Sequence, residues 1–262
     1  LKIKVNAKIY LSLDVVGKRE DGYHTLDMLM TSVDVCDIIF ASKSGECAVT
    51  MDGVEAASDN TAVKALTLLN EKYGIAMRAE ISKGIPFSAG MGGSSADASG
   101  IFFCAHKLYG IPLEELTQLA LKVGADVPYM MYGGGARVTG IGDCVSAREI
   151  PPMTLAICQK AIVASTKDIY ARYDIIGGGE KIGNYHNDLE KAACSLDTEI
   201  SEAREDLLKF TDRVFMTGSG SAYVGVFDSE DGARECIDAL DGYLFKTVAR
   251  TSEKGIEILD EY

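Results

Sequence analysis

Between Ile85 and Ala98 the chain reads Ile-Pro-Phe-Ser-Ala-Gly-Met-Gly-Gly-Ser-Ser-Ala-Asp-Ala, with a strand pattern before it and a helix pattern after it. Upstream, Met77, Ala79 and Ile81 alternate with polar residues at the period of a half-buried strand. Downstream, Ala98, Ile101, Phe102, Ala105, Leu108 and Tyr109 recur at helical spacing until Gly110 and Pro112 stop the helix. A glycine-rich turn from a strand into a helix gathers backbone amides and the positive helix end at one point, which is a cradle for phosphate. Two common cradles are excluded by spacing. No glycine precedes a Lys-Ser or Lys-Thr as in a P-loop, and the sixth position from Gly90 is Ser95, not the glycine of a dinucleotide fingerprint. A purely structural reading stays open, in which Ser94 caps the helix with Asp97 as its capping-box partner and the glycines only turn the chain.

The rest of the pattern alternates strands and helices, an α/β (α+β) chain. Ile9, Leu11, Leu13 and Val15 alternate as a strand, followed by a polar turn over Gly17 to Gly22. Asn60 to Tyr73 places Ala62, Ala65, Leu66, Leu69 and Tyr73 on one helical face, with Asp59 or Asn60 as cap and Gly74 beyond the end. A second helix over Leu113 to Val123 leads into Gly124-Ala125-Asp126-Val127-Pro128, and Gly133 to Gly135 precede a short strand. Pro151-Pro152 marks the expected boundary between domains of 1–150 and 151–262. Beyond it, a strand over Leu155 to Ala164, helices near Asn187 to Cys194 and Thr198 to Phe210, strands at Val214 to Thr217 and Tyr223 to Phe227, a helix over Glu230 to Leu240 and a strand over Phe245 to Ala249 predict a ferredoxin-like C-terminal domain.

Composition narrows the partners. With 26 Lys and Arg against 39 Asp and Glu, the formal charge of −13 speaks against a surface that neutralises nucleic-acid phosphates. No apolar run approaches the ~18 residues of a membrane span, so a soluble, cytoplasmic protein is expected. The seven cysteines, with no C-x-x-C pair and no His at ligand spacing, signal neither a disulfide framework nor a zinc site. Most are expected to be small core hydrophobes.

Four further sites have both a structural and a chemical reading. Gly218-Ser219-Gly220-Ser221 between two strands is either a hairpin turn or a backbone approach to a ligand from the second domain. Asp126 is either a helix N-cap with Pro128 in the first turn or a carboxylate that takes a proton from a hydroxyl during phosphoryl transfer. Lys8 is either a solvated strand residue or a fixed cation beside Asp126. Asp21-Gly22-Tyr23-His24 is a turn, or a platform on which a nucleobase stacks.

Taken together and in this order, these segments resemble the GHMP kinases, the superfamily that includes galactokinase, homoserine kinase and mevalonate kinase. The resemblance covers nearly the whole chain. It is carried by Ala7-Lys8-Ile9, Gly17 to His24, Ile85 to Ala98, Gly124 to Pro128, Gly134 to Gly142, Ser165-Thr166 with Ile169-Tyr170, Asn187-Asp188-Leu189-Glu190 and Met216 to Gly220. Gly-Tyr-His and Asn-Asp-Leu-Glu are similar to the branch that phosphorylates the 2-hydroxyl of 4-diphosphocytidyl-2-C-methyl-D-erythritol in non-mevalonate isoprenoid biosynthesis.

That likeness implies a two-domain kinase, with an N-terminal domain of the ribosomal-protein-S5-domain-2-like fold and a ferredoxin-like C-terminal domain. It implies ATP as co-substrate with Mg²⁺, and a small-molecule acceptor carrying a cytidine diphosphate group, with the chain a monomer or homodimer bound to neither nucleic acid nor membrane. Asp126 matches the catalytic base and Lys8 the cation at the reacting groups. ATP is placed against Pro86, Ala89, Gly90, Met91, Gly92, Gly93, Ser94 and Ser95, with Ser95 the candidate metal ligand. The acceptor is placed against Tyr10, with cytosine between Tyr23 and Tyr170, His24 at its edge and Thr166 nearby. Two departures stand out. Tyr10 occupies a position where the family usually has asparagine, and Gly92-Gly93-Ser94-Ser95-Ala96-Asp97 has one glycine and one aligned serine fewer than the branch commonly has. A kinase of another sugar, homoserine or mevalonate-type hydroxyl, and a nucleotide-binding relative without catalysis, are the competing readings. The presence of both Lys8 and Asp126 speaks against the second.

Overall fold

The computed structural model describes residues 1–162, 165–179 and 185–261. Two long strands organise the N-terminal half: β1 (Lys2–Lys18) and β2 (His24–Lys43) pair antiparallel around a turn at Arg19–Tyr23. β1 is longer than its alternating stretch suggests, and residues from Val5 to Leu11 are buried on both faces of the sheet. Alternation along the strand puts Lys8 and Tyr10 on one face, in a stretch free of register shifts. β2 was not among the elements expected from periodicity, because Asp34 and Val35 bulge between the partners of Ala7 and Asn6 and interrupt the alternation.

Next come a small hairpin, β3 (Ala48–Met51) with β4 (Val54–Glu55), and then α1 (Thr61–Tyr73). The α1 cap is Asn60, whose side chain accepts from the Ala62 amide, and Gly74 ends the helix in the left-handed region at φ 65°. β5 (Met77–Ser82) buries Met77, Ala79 and Ile81 as expected and lies between β2 and β3. α2 (Gly93–Tyr109) and α1 pack together, and α2 lies across β1 and β2. Two short helices, α3 (Leu113–Ala120) and α4 (Val127–Tyr132), lead to β6 (Ala136–Gly140) on the far edge of β2 and its partner β7 (Cys144–Ala147).

The C-terminal half contains β8 (Thr154–Gln159), α5 (Thr166–Ile176), β9 (His186–Asn187), α6 (Glu190–Leu196), α7 (Thr198–Leu208), β10 (Val214–Met216), β11 (Tyr223–Phe227), α8 (Glu230–Ala239) and β12 (Phe245–Ser252). The expected strand at Leu155 runs out at Gln159, and Val163 and Ala164 at its expected end lie outside the described residues. The antiparallel order β10-β11-β8-β12 is the ferredoxin-like arrangement. The two halves share one sheet, because β12 continues onto β2 at Thr251↔Val33. The final strand, β13 (Ile256–Asp260), falls beyond the Pro151 boundary in sequence yet pairs with β1 at Val5↔Ile256. Only three of the seven cysteines, Cys104, Cys158 and Cys236, are buried, fewer than expected; Cys36 and Cys194 are half-buried and Cys47 and Cys144 exposed. Among the described residues no helix is long and apolar enough to cross a membrane.

Candidate active site

The glycine-rich loop enters α2 through Gly92, which is the N-cap at φ 77° and makes no side-chain cap hydrogen bond. Ser94 is therefore not the cap, and Asp97 has other partners. A Cβ on Gly92 would sit 3.0 Å from both Lys8 Cε and Met130 Sδ, so the missing side chain leaves room for Lys8 to reach along the loop. Lys8 Nζ donates to the Gly90 carbonyl at 2.8 Å, and the Lys8 amide to that of Met91 at 3.1 Å. The other side of the loop is tied to the C-terminal half by Ser221 N donating to Ser88 O and Ala222 N to Ala89 O, both at 3.2 Å. Gly90 stands so close that a Cβ would lie 2.1 Å from the Thr217 carbonyl oxygen.

Between the halves lies a cavity of about 470 Å³. Pro86, Ala89, Gly90, Met91, Gly92, Gly93, Ser94 and Ser95 all line it, together with Lys8, Tyr10, Asp126, Thr166, Tyr170 and the Gly218–Gly220 turn. That turn connects β10 and β11 and forms one wall of the cavity. Asn187 holds it in place, donating from Nδ2 to the carbonyls of Met216 at 2.8 Å and Gly218 at 2.7 Å.

Asp126 precedes α4 but makes no side-chain cap hydrogen bond. Its carboxylate instead faces the cavity, with Oδ2 3.5 Å from Lys8 Nζ and both oxygens 3.1 Å from Tyr10 Oη. Lys8 is buried, and desolvation pulls its ammonium down to about 8 against the opposing pull of Asp126. Burial, reinforced by the Asp126 charge, holds the Tyr10 phenol well above its ordinary range, so it remains a donor. The Tyr10 ring is pinned, with Lys8 Nζ 3.5 Å from its centroid and the Tyr10 amide donating to Thr217 Oγ1 at 3.0 Å. A carboxylate and an ammonium from distant segments therefore meet at the glycine-rich loop.

Beneath the loop is a charged group that periodicity did not reveal. Lys83 Nζ pairs with Asp37 Oδ2 at 2.5 Å and Asp97 Oδ2 at 2.8 Å, all three side chains being nearly inaccessible. The other Asp37 oxygen accepts from the amides of Gly84 at 2.7 Å and Ile85 at 2.9 Å, which fixes the start of the loop. Among the described residues Asp97 Oδ1 is buried with no hydrogen-bond partner, and desolvation pushes the Asp97 carboxyl up to about 7 despite Lys83. One signal was available: Asp97 shares a helical face with Ile101 and Cys104, and a carboxylate on an apolar stripe needs a buried partner.

His24 stacks on Tyr170 with ring centroids 4.8 Å apart and shares a 2.7 Å contact between Nε2 and Asp174 Oδ1. Tyr23 is 64% exposed on the turn before β2, and neither it nor His24 lines the cavity, so in this structure His24 and not a Tyr23 platform faces Tyr170. Thr166 and Ser219 share a hydroxyl contact of 3.0 Å at the cavity wall.

A family model for the GHMP kinases N terminal domain matches residues 60–134, and one for the GHMP kinases C terminal domain matches residues 172–246. The chain belongs to the GHMP kinases. A similar relative, 36% identical with 99% of each chain covered, is the 4-diphosphocytidyl-2-C-methyl-D-erythritol kinase of Thermoanaerobacter pseudethanolicus. Among solved structures, a 4-(cytidine 5'-diphospho)-2C-methyl-D-erythritol kinase superposes with a TM-score of 0.83 at 27% identity, covering 96% of this chain and 99% of the other. The homoserine kinase of Cytophaga hutchinsonii, at 15% identity and a TM-score of 0.70 over 98% of this chain and 96% of its own, shares the fold. This GHMP kinase thus has the mixed α/β architecture of its family, and its enzyme class is that of an ATP-using kinase.

Proposed function

We propose that this GHMP kinase transfers the terminal phosphoryl group of ATP to the 2-hydroxyl of 4-diphosphocytidyl-2-C-methyl-D-erythritol. The placement of Asp126 and Lys8 at the mouth of the glycine loop carries the chemistry, and the names of the near-full-length relatives supply the acceptor. The acceptor oxygen bonds to the γ-phosphorus as its proton passes to Asp126, and the bond to the β,γ-bridging oxygen breaks, releasing ADP. Lys8 keeps positive charge beside the reacting oxygens, while the amides of Gly90 to Ser95 receive the phosphates.

Mg²⁺ accompanies ATP in this proposal and supplies neutralisation of the phosphate charge. The donor set fits such an ion. Among the described residues no group of three or more His, Cys, Asp or Glu side chains forms a cage, and the Ser94 and Ser95 hydroxyls on the loop suit a cation held mainly by phosphate oxygens and water. Ser95 is the proposed protein ligand.

The test of the proposal is ADP formation by the purified chain with ATP and each acceptor in turn. ADP release that depends on the diphosphocytidyl acceptor, and is not supported by homoserine, mevalonate or a hexose, is the expected result. Turnover with one of those three in its place would reassign the acceptor.

Two further outcomes are expected. Because burial brings the Lys8 ammonium to about 8, its charge is present below that pH and lost above it, so turnover falls as pH rises through about 8. Lys8→Arg, whose guanidinium keeps its proton, should remove this alkaline limb from whatever activity it retains. A limb unchanged in the arginine variant would assign the titration to another group. Tyr170→Ala is expected to raise the KM for the acceptor about tenfold with little change for ATP, since stacking on a base is worth ~1–3 kcal/mol. Equal losses for both substrates would remove Tyr170 from the base-binding end.

A further inference from the structure

The contact between Tyr10 and Asp126 has no counterpart in the transfer just described. The phenol hydroxyl lies equidistant from both carboxylate oxygens, at 3.1 Å from each, so its single proton is shared between them. The ring has little freedom to leave. Its backbone amide is bound to Thr217 Oγ1, the Lys8 ammonium lies over one face, and a Cβ placed on Gly218 would come within 3.1 Å of Tyr10 Cε2. The hydroxyl is therefore aimed at Asp126 by both halves of the molecule.

We propose that Tyr10 is a positioning residue that guards the base, occupying the Asp126 carboxylate until an acceptor hydroxyl displaces it and so keeping water from being phosphorylated in its place. The proposal rests on the reading of Asp126 as the base. Unguarded, a water beside the carboxylate would lose a proton to Asp126 as its oxygen bonded to the γ-phosphorus and the bond to the bridging oxygen broke, giving ADP and inorganic phosphate. The shared contact is longer than the ~2.5–2.7 Å of a direct hydroxyl-to-carboxylate hydrogen bond, so a well-placed hydroxyl outcompetes it. An acceptor held through the rest of its structure brings binding energy to that exchange, and water brings none.

The experiment is ATP hydrolysis by the full chain with Mg²⁺ and no acceptor, followed as phosphate release. Tyr10→Phe, which removes only the hydroxyl, is expected to raise this rate about tenfold, the scale of one hydrogen bond to a charged group. In an Asp126→Asn background the same substitution is expected to change nothing, because the guard acts through that carboxylate. An unchanged or lowered rate in Tyr10→Phe would overturn the proposal, as would an increase that persists without Asp126. A residue that merely packs would lower hydrolysis and transfer together. Tyr10→Met, a second variant without the hydroxyl, decides the matter should the phenylalanine form fail to fold; failure of both to give a native circular dichroism spectrum would make Tyr10 a packing residue and reject the guard. Since no acceptor is present, the result is independent of which hydroxyl the enzyme phosphorylates, and loss of acceptor-dependent turnover in Asp126→Asn tests the base separately.

Discussion

Asp126→Asn is expected to lower kcat with ATP and acceptor by about a hundredfold or more, the scale of removing a general base. The amide keeps the shape of the carboxylate, so Lys8 retains its hydrogen bond to Gly90 O and Tyr10 retains an oxygen to donate to. The two functions lost are proton acceptance and the negative charge opposite Lys8. ATP binding measured by calorimetry should change little, because the loop proposed to receive the phosphates, Gly90 to Ser95, is anchored through other contacts. A drop in kcat of less than about tenfold would take the role of base away from Asp126.

The largest effect on stability is expected at Lys83. Lys83→Met removes the cation from between two buried carboxylates, Asp37 and Asp97, and breaking a buried pair in this way costs about 3–5 kcal/mol. The penalty should depend on pH in a definite direction. The Asp97 carboxyl is raised from 3.8 to about 7, so between those values the folded chain holds a proton that the unfolded chain has released. Stability from this group therefore grows as pH falls through that window and is lost as pH rises above it. Without Lys83 the charged form is still less favourable, so the deficit of the variant against the parent chain should narrow on acidification from about pH 8 to about pH 5.5. Urea unfolding of both proteins at the two pH values measures it. A deficit below about 1 kcal/mol, or one that does not vary with pH, would mean that the buried group relaxes or is reached by water.

What could be read in advance follows from the range of the interactions involved. Lys8 and Tyr10 share a face because a strand alternates, and the loop from Ile85 to Ser95 gathers backbone amides at a helix start because its glycines precede α2. Both are local properties. The surroundings of Asp126 are not local: they depend on β1 placing Lys8 and Tyr10 opposite α4. Asp97 is not the capping partner of Ser94 that one of the two readings of the loop allows: it pairs with Lys83, which precedes the loop and also pairs with Asp37 on a strand whose bulge hides the alternation. The last strand could not be assigned from its own residues, since its pairing with β1 joins the two ends of the chain. Tyr23 was placed by likeness alone, and its exposed position on the turn reflects a contact network in which His24 is held between Tyr170 and Asp174.

A crystal of this kinase grown with Mg²⁺ and a non-hydrolysable ATP analogue would show where the terminal phosphate lies. The expected map has the α- and β-phosphates against the amides of Gly90 to Ser95, and the γ-phosphorus beside Lys8 Nζ with its open face toward Asp126. Phosphates bound elsewhere in the cavity, or a γ-phosphorus turned away from Asp126 with Lys8 still closed on Gly90, would contradict the assignment of this pair to phosphoryl transfer.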